Sequence, residues 1–507
     1  MDNKAAKFFL QIKTFIFENL LLVVILFCVT VSILSRSYFD LSYISPDSAH
    51  YLRAAREILR GNGFNVYPEW FGIWPIGYPF LIAVVAFITR AEIYLASKIL
   101  SVIIVWLIGI MLYKRFGKTA WLYAFVMLNV GFRYIFFYTW SETTFILGMF
   151  LFAFWTADII CEDTVRISHY IKLTLAALLL FLSRYIGAFA LIIVGLLWLG
   201  NMYSALKFRD KTAWKRVIYL SLSGVAAGAF IITYLLINQK MTGYMTGLAR
   251  VPAGQVRDLL LELYRAQMIE MDYVFDTFFS IGSARLALLL WFIFIGFLIF
   301  SVTKNKKNII KRDKDVIIPI IFIIIGTVYW VAIVIMRLAS DFDDFGFRLL
   351  FPSSFMLFIG FAGLLVQNEK VKAFIIRYCG KFIPALCLMG FLLMILVITP
   401  RLNGTSGYRQ VKANVLATYA EIPDGSIVLG GDTVHLLFMR DNLDAMNIDL
   451  EDNDLQSFLE NISGYEEIYI YVPEMKRQLA ESSNSTGGLY TFFEQYRDSE
   501  EMFVRVK

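Results

Sequence analysis

Ser45-Pro46-Asp47-Ser48-Ala49-His50-Tyr51-Leu52-Arg53-Ala54-Ala55-Arg56-Glu57-Ile58-Leu59-Arg60-Gly61 separates the first two long apolar runs of a 507-residue chain. Pro46 suits a first helical turn, and Ser45 can cap it. Tyr51, Leu52, Ala55, Ile58 and Leu59 form an apolar stripe opposite Arg53, Arg56, Glu57 and Arg60, the pattern of an amphipathic helix lying on a bilayer. Such a helix holds Asp47, in its first turn, at a fixed height above the lipid.

The rest of the chain supplies the lipid-facing surface. Hydrophobic residues make up 58%, charged residues 17%, and mean hydropathy is +0.64. Such a composition describes a polytopic membrane protein rather than a water-soluble one. The net charge of +6 does not point to nucleic acid, because Lys and Arg cluster in short loops between apolar runs and read as topology signals. Spans are expected at about 15–35, 92–113, 119–138, 142–160, 170–183, 186–200, 215–237, 285–303, 316–337, 349–367 and 382–398, about eleven in all. The first is long, lacks a small-residue cleavage pattern and is expected to stay in the protein. Pro75–Ile88, about 14 apolar residues opened by Pro75, Gly77 and Pro79, is too short to cross and reads as interfacial or re-entrant.

Charge parity supports that reading. Lys4, Lys7 and Lys13 place the N-terminus in the cytoplasm, so the Asp47 loop faces outward. With 75–88 not crossing, Lys114, Arg115 and Lys118 fall inside, as do the basic clusters at 207–216, 304–314 and 370–381. The tail after Pro400 is then extracytoplasmic. There, Ile427-Val428-Leu429 and Ile468–Val472 read as strands, and Leu455–Ile462 and Leu489–Tyr496 as helices. The expected fold is therefore an all-α polytopic membrane domain over 1–400 and a small α/β domain over 401–507. Gly430-Gly431-Asp432 reads as a turn. Cys28, Cys161, Cys379 and Cys387 suggest no disulfide framework, and three dispersed His residues suggest no metal cluster.

This topology gathers ionisable residues at outer helix ends: Asp47, Glu142, Arg184 beside Tyr185, and Arg348. Charges at such depths are costly unless paired or functional. Each also has a purely structural reading. Asp47 and Glu142 can cap helices, Arg184 can snorkel, Arg348 can pair with Asp341, Asp343 or Asp344, and Trp74 and Tyr78 can be interfacial aromatics. Convergence favours a site.

Pro46-Asp47-Ser48-Ala49-His50-Tyr51, Trp74-Pro75-Ile76-Gly77-Tyr78-Pro79 and Ser141-Glu142-Thr143-Thr144-Phe145 resemble motifs of the C-type (GT-C) membrane glycosyltransferases. The resemblance is to the branch that takes sugars from polyprenyl phosphates, including protein O-mannosyltransferases and lipid A aminoarabinose transferases. Leu182–Gly187 and Arg348–Pro352 match two looser motifs, and about the first 370 residues are covered. It implies Asp47 and Glu142 as the two acidic positions, and 75–88 along the outer surface. Trp74-Pro75-Ile76 departs from the lysine and proline pair of many relatives. No paired Asp-x-Asp surrounds Asp47, so a divalent cation is not supported and no cofactor is called for.

The expected chemistry is sugar transfer from a polyprenyl phosphate to a glycan, lipid or protein acceptor at the outer face of a bacterial plasma membrane, with inversion. Asp47 would act as general base, and Glu142 would orient the acceptor or an arginine. Arg184 and Arg348 would hold the phosphate. His50, Tyr51, Trp74, Tyr78 and Tyr185 are the candidate substrate contacts. A lipid-linked glycan flippase or transporter, or a non-catalytic scaffold displaying the tail domain, are the alternatives.

Overall fold

The computed structural model describes residues 19–275, 313–377 and 407–507, apart from short stretches at 40–42, 67–68, 249–253, 341–344, 368, 375 and scattered positions between 431 and 486, together with isolated positions between 276 and 312. The expected spans at 285–303 and 382–398, Lys4, Lys7 and Lys13, and Asp341, Asp343 and Asp344 lie outside the described residues. Helix α1 (Leu20–Phe39) is followed by α2 (Pro46–Arg60), a two-residue hairpin of β1 (Asn65–Val66) and β2 (Glu69–Trp70), α3 (Gly77–Thr89) and α4 (Ile93–Phe116). Short pieces α5 (Ala120–Ala124) and α6 (Val130–Phe137) lead to α7 (Glu142–Cys161), α8 (Ile167–Ser183), α9 (Ala190–Phe208) and α10 (Lys211–Thr242). Then come α11 (Val256–Phe275), α12 (Lys314–Ala339) and α13 (Phe347–Val366).

Among the described residues, six helical runs are long and apolar enough to cross a membrane: Ile93–Leu128, Glu142–Cys161, Tyr185–Phe208, Lys211–Thr242, Lys314–Ala339 and Phe347–Val366. Leu20–Arg36, Gly77–Thr89 and Ile167–Ser183 are shorter apolar helices. The bundle has two chemically distinct ends. Helix α7 runs from Glu142 to Asp158 and Cys161, where Arg115 at the end of α4 pairs with Asp158 and Lys314 at the start of α12 lies 3.5 Å from Glu162. Arg216, in the first turns of α10, donates to the Glu162 carbonyl, and Gln367 after α13 donates to the Asp315 carbonyl. Basic residues therefore gather at the end away from Asp47.

The crossing expected as one helix over 119–138 is made in pieces. Two 3₁₀ turns flank α5, and Asn129 leaves helical geometry to cap α6, its side chain accepting from the Gly131 N–H at 2.7 Å. The chain nevertheless returns to the Asp47 end, since Lys98 in the second turn of α4 donates to the Phe137 carbonyl at 2.7 Å.

Helix α3 is 13 residues, about 20 Å long, against a hydrocarbon core of about 30 Å. It starts beside Trp74 and the C-terminal end of α8, and it ends three residues before Glu92, which pairs with Lys412 of the tail. The tail also pairs with α2 through Arg53 and Asp444, so both ends of α3 lie at the same end of the bundle. At Gly77, a Cβ would lie 2.6 Å from the Leu182 carbonyl oxygen, so only glycine permits α3 to start hard against α8.

Helix α2 corrects one expectation. Ser45 caps it as read, accepting from the Ser48 N–H at 3.2 Å, but of its charged face only Arg60 is exposed. Arg53, Arg56 and Glu57 are buried. Tyr51, Ala54 and Ala55 pack into the bundle, whereas Leu52 joins Tyr408, Val415 and Val428 of the tail. The helix is held between the bundle and the C-terminal domain rather than laid on lipid.

That domain comprises α14 (Gly407–Thr418), β3 (Ile427–Leu429), β4 (Asp444–Met446), α15 (Leu455–Ile462), β5 (Ile468–Tyr471), α16 (Val472–Glu481), α17 (Gly488–Glu494) and β6 (Phe503–Arg505). The sheet order is β4-β3-β5-β6, with β3 parallel to both neighbours and β6 antiparallel to β5. Among the described residues, its own core of Ile427, Leu429, Ile470, Met475 and Phe493 contains no residue of the bundle helices.

Candidate active site

Asp47 enters the site from the first turn of α2, Glu142 from the first residue of α7, Arg184 from the break after α8, and Arg348 from the start of α13. Arg184 adopts extended backbone (φ −152°, ψ 138°), which ends α8 and turns its side chain inward. All four meet. Arg348 donates through one terminal nitrogen to Asp47 and through Nε to Glu142, and Arg184 donates to the same Glu142 oxygen.

The two carboxylates differ in access. Glu142 is fully buried behind the guanidinium groups, while the Asp47 side chain retains 25% exposure. A cavity of about 520 Å³ opens beside them, lined by Asp47, Tyr51, Trp74, Arg184, Tyr185 and Arg348, with Ile186, Leu248, Ile333 and Met336 as its apolar wall. Asp47 can therefore touch a substrate, and Glu142 touches the arginines. Two guanidinium groups converging on one open volume have the chemistry to hold an anion, since each offers a planar fork of charged donors.

Of the expected substrate contacts, Tyr51, Trp74 and Tyr185 line the cavity. His50 and Tyr78 do not. The His50 ring lies 5.5 Å from that of Trp74, and Tyr78 sits edge-on to Tyr51 at 5.3 Å with no exposed surface, so both back the wall. Burial, with Arg53 nearby, lowers the His50 pKa below its usual value, against a smaller raising effect from Asp47, and so favours the neutral ring. Burial likewise raises that of Tyr51, whose hydroxyl lies 3.1 Å from Ser141 Oγ.

Supporting groups escaped the sequence reading. The buried Asn238 donates to the Tyr185 hydroxyl at 2.5 Å and accepts from Trp70 at 3.0 Å, while Tyr185 donates to the Gly72 carbonyl at 2.6 Å. This ties the cavity wall to the strand-turn segment that precedes α3. Trp140 lies under Arg348, its ring centroid 4.7 Å from the guanidinium carbon. Its position directly before Ser141-Glu142 was the available signal. Among the described residues there is no cluster of three or more His, Cys, Asp or Glu that could hold a metal ion.

No family model matches the sequence, and no curated protein matches it. Solved structures do. ArnT from Cupriavidus metallidurans bound to undecaprenyl phosphate matches with a TM-score of 0.53 at 12% identity, over 92% of this chain and 94% of that one. The oligosaccharyltransferase of Archaeoglobus fulgidus, tethered with an acceptor peptide, matches with a TM-score of 0.48 at 11% identity, over 95% of this chain and 72% of that one. The nearly full-length likeness to ArnT is one of fold. The chain shares its fold with ArnT.

Proposed function

We propose that this protein is an integral membrane glycosyltransferase that moves a sugar from a polyprenyl phosphate to an acceptor hydroxyl at the outer face of the plasma membrane, inverting the anomeric carbon. The observation that carries this reading is the single cavity lined by one accessible carboxylate, Asp47, and two arginines, Arg184 and Arg348. The fold shared with ArnT supports it, as does the undecaprenyl phosphate bound to that protein. The gathering of Arg115, Arg216 and Lys314 at the opposite end supports an outward-facing site, because basic loops stay cytoplasmic.

In the reaction, the acceptor oxygen attacks the anomeric carbon while Asp47 takes the hydroxyl proton. The bond between that carbon and the phosphate oxygen breaks, and its electron pair leaves with the lipid phosphate. Arg348 and Arg184 stabilise the charge that grows there. Glu142 holds the two guanidinium groups side by side, and Trp74, Tyr51 and Tyr185 surround the sugar. A flippase would be expected to carry its ionisable groups near the bilayer midplane. These four stand at helix ends, which favours the enzyme.

Transfer of labelled sugar from a synthetic polyprenyl phosphate by purified protein tests the proposal. Asp47→Asn should lose at least about 100-fold in kcat while remaining folded. Arg184→Ala and Arg348→Ala should each lose roughly 2–4 kcal/mol of transition-state stabilisation. Full activity in Asp47→Asn would remove the base, and unchanged kinetics in both arginine variants would put the phosphate elsewhere.

A further inference from the structure

Trp140 lies between the two halves of the site. Its indole N–H donates to Ser45 Oγ at 2.8 Å, and Ser45 is the residue that caps α2, two positions before Asp47. The face of the same ring lies under Arg348, which bonds both Asp47 and Glu142. One side chain thus touches the start of the helix that carries the carboxylate and the guanidinium that meets it.

The ring is itself immobilised. Tyr138 stacks on it at 3.8 Å with planes 7° apart, and the elbow between α6 and α7 is pinned at each step. Lys98 holds the Phe137 carbonyl, Ser97 Oγ lies 3.0 Å from Thr139 Oγ1, and Tyr51 lies 3.1 Å from Ser141 Oγ. A tryptophan present only to fill space would need none of these polar anchors, and a lipid-facing one would not be 8% exposed.

We infer that Trp140 is a positioning residue: its ring face holds the Arg348 guanidinium flat for the lipid phosphate, and its N–H, through Ser45, holds Asp47 at a fixed distance from that arginine. A guanidinium pinned on an aromatic face loses less freedom on binding an anion than a free one, and loses it before the ligand arrives. The inference rests on the phosphate assignment above, and the two fail separately.

Undecaprenyl phosphate is the probe, with its Kd measured on purified full-length protein and transfer kinetics measured alongside. Trp140→Leu removes the ring face, and its Kd should rise about tenfold, toward that of Arg348→Ala. Trp140→Phe keeps the face and loses the N–H, so its Kd should stay at the wild-type value while kcat falls roughly 3- to 10-fold. Ser45→Ala, which also removes the cap of α2, should lower kcat at least as far, and the double variant Ser45→Ala/Trp140→Phe should be no worse than Ser45→Ala alone. This cycle decides the matter even if Trp140→Leu does not fold. Wild-type Kd in Trp140→Leu beside a weakened Arg348→Ala, or multiplicative losses in the double variant, would overturn the role of Trp140 alone. Wild-type Kd in both Arg348→Ala and Arg184→Ala would overturn the phosphate assignment, and this inference with it.

Discussion

Glu142 has no exposed surface, and its carboxylate sits between two guanidinium groups that are themselves mostly buried. Desolvating that many charges is costly, and their arrangement is tolerable only because each neutralises another. Removing the acid takes away the carboxylate that Arg184 and Arg348 share and leaves Asp47, on Arg348, to balance two guanidinium groups. Glu142→Ala should therefore destabilise the fold by on the order of 3–5 kcal/mol and also scatter the proposed phosphate site. Glu142→Gln should keep the volume yet lose most activity, because a neutral amide offers one acceptor oxygen without the charge. Thermal unfolding in detergent and transfer kinetics measure the two effects, and a wild-type melting temperature in Glu142→Ala would show that the arginines are held without this acid. At this scale the four ionisable residues were legible because charge is rare in apolar sequence and must be explained. His50 and Tyr78 were not separable from Tyr51 and Trp74, since adjacency in a motif does not say which ring faces the cavity and which packs behind it.

Helix α11 shows what a search for apolar runs passes over. Its residues are too polar on average to read as a span, yet it packs Glu270 without any exposed surface. Gln267 donates to that carboxyl at 2.5 Å and accepts from Trp330 at 3.3 Å, joining α11 to α12. Burial pushes the Glu270 pKa up to about 8, opposed only partly by its hydrogen bonds, so the acid is mostly neutral at pH 7. Between the ordinary value of 4.5 and about 8, the folded protein holds a proton that the unfolded chain has released. Stability from this group is thus fully present below about 4.5 and is lost as pH rises through about 8. Relative to Glu270→Gln, the wild type should lose up to about 1.4 kcal/mol of stability per pH unit between pH 5 and pH 8. Unfolding curves in detergent across that range check it, and parallel pH profiles for the two proteins would show that Glu270 is ionised throughout. Helix α2 was legible as a capped, amphipathic element from its period alone. What covers its charged face was not, because a helical wheel cannot distinguish water from a domain about 400 residues further along the chain.

Across the whole molecule, a second set of ion pairs, apart from those of the site, fixes which end of the bundle the tail domain occupies. Arg53 of α2 pairs with Asp444, Glu92 at the start of α4 pairs with Lys412, and Tyr94 stacks on Tyr408 at 4.9 Å. The tail is therefore at the Asp47 end of the bundle, and charge parity reads both as extracytoplasmic. Parity alone could say so because it needs only the order of basic clusters and one decision about 75–88. That decision carries the orientation of everything after it. If α3 lies along the surface, Asn62, Ala91 and Asp424 share one side of the membrane and Lys118 occupies the other. In a background with the four native cysteines replaced by serine, a membrane-impermeant maleimide should label Asn62→Cys, Ala91→Cys and Asp424→Cys on intact cells. It should reach Lys118→Cys only after permeabilisation. Asn62, Asp424 and Lys118 are exposed and Ala91 is partly so, so labelling reports side rather than burial. Should Ala91→Cys follow Lys118→Cys, α3 would cross the membrane, the start of α4 would leave the Asp47 side, and its ion pair with the tail could not form where the site requires it.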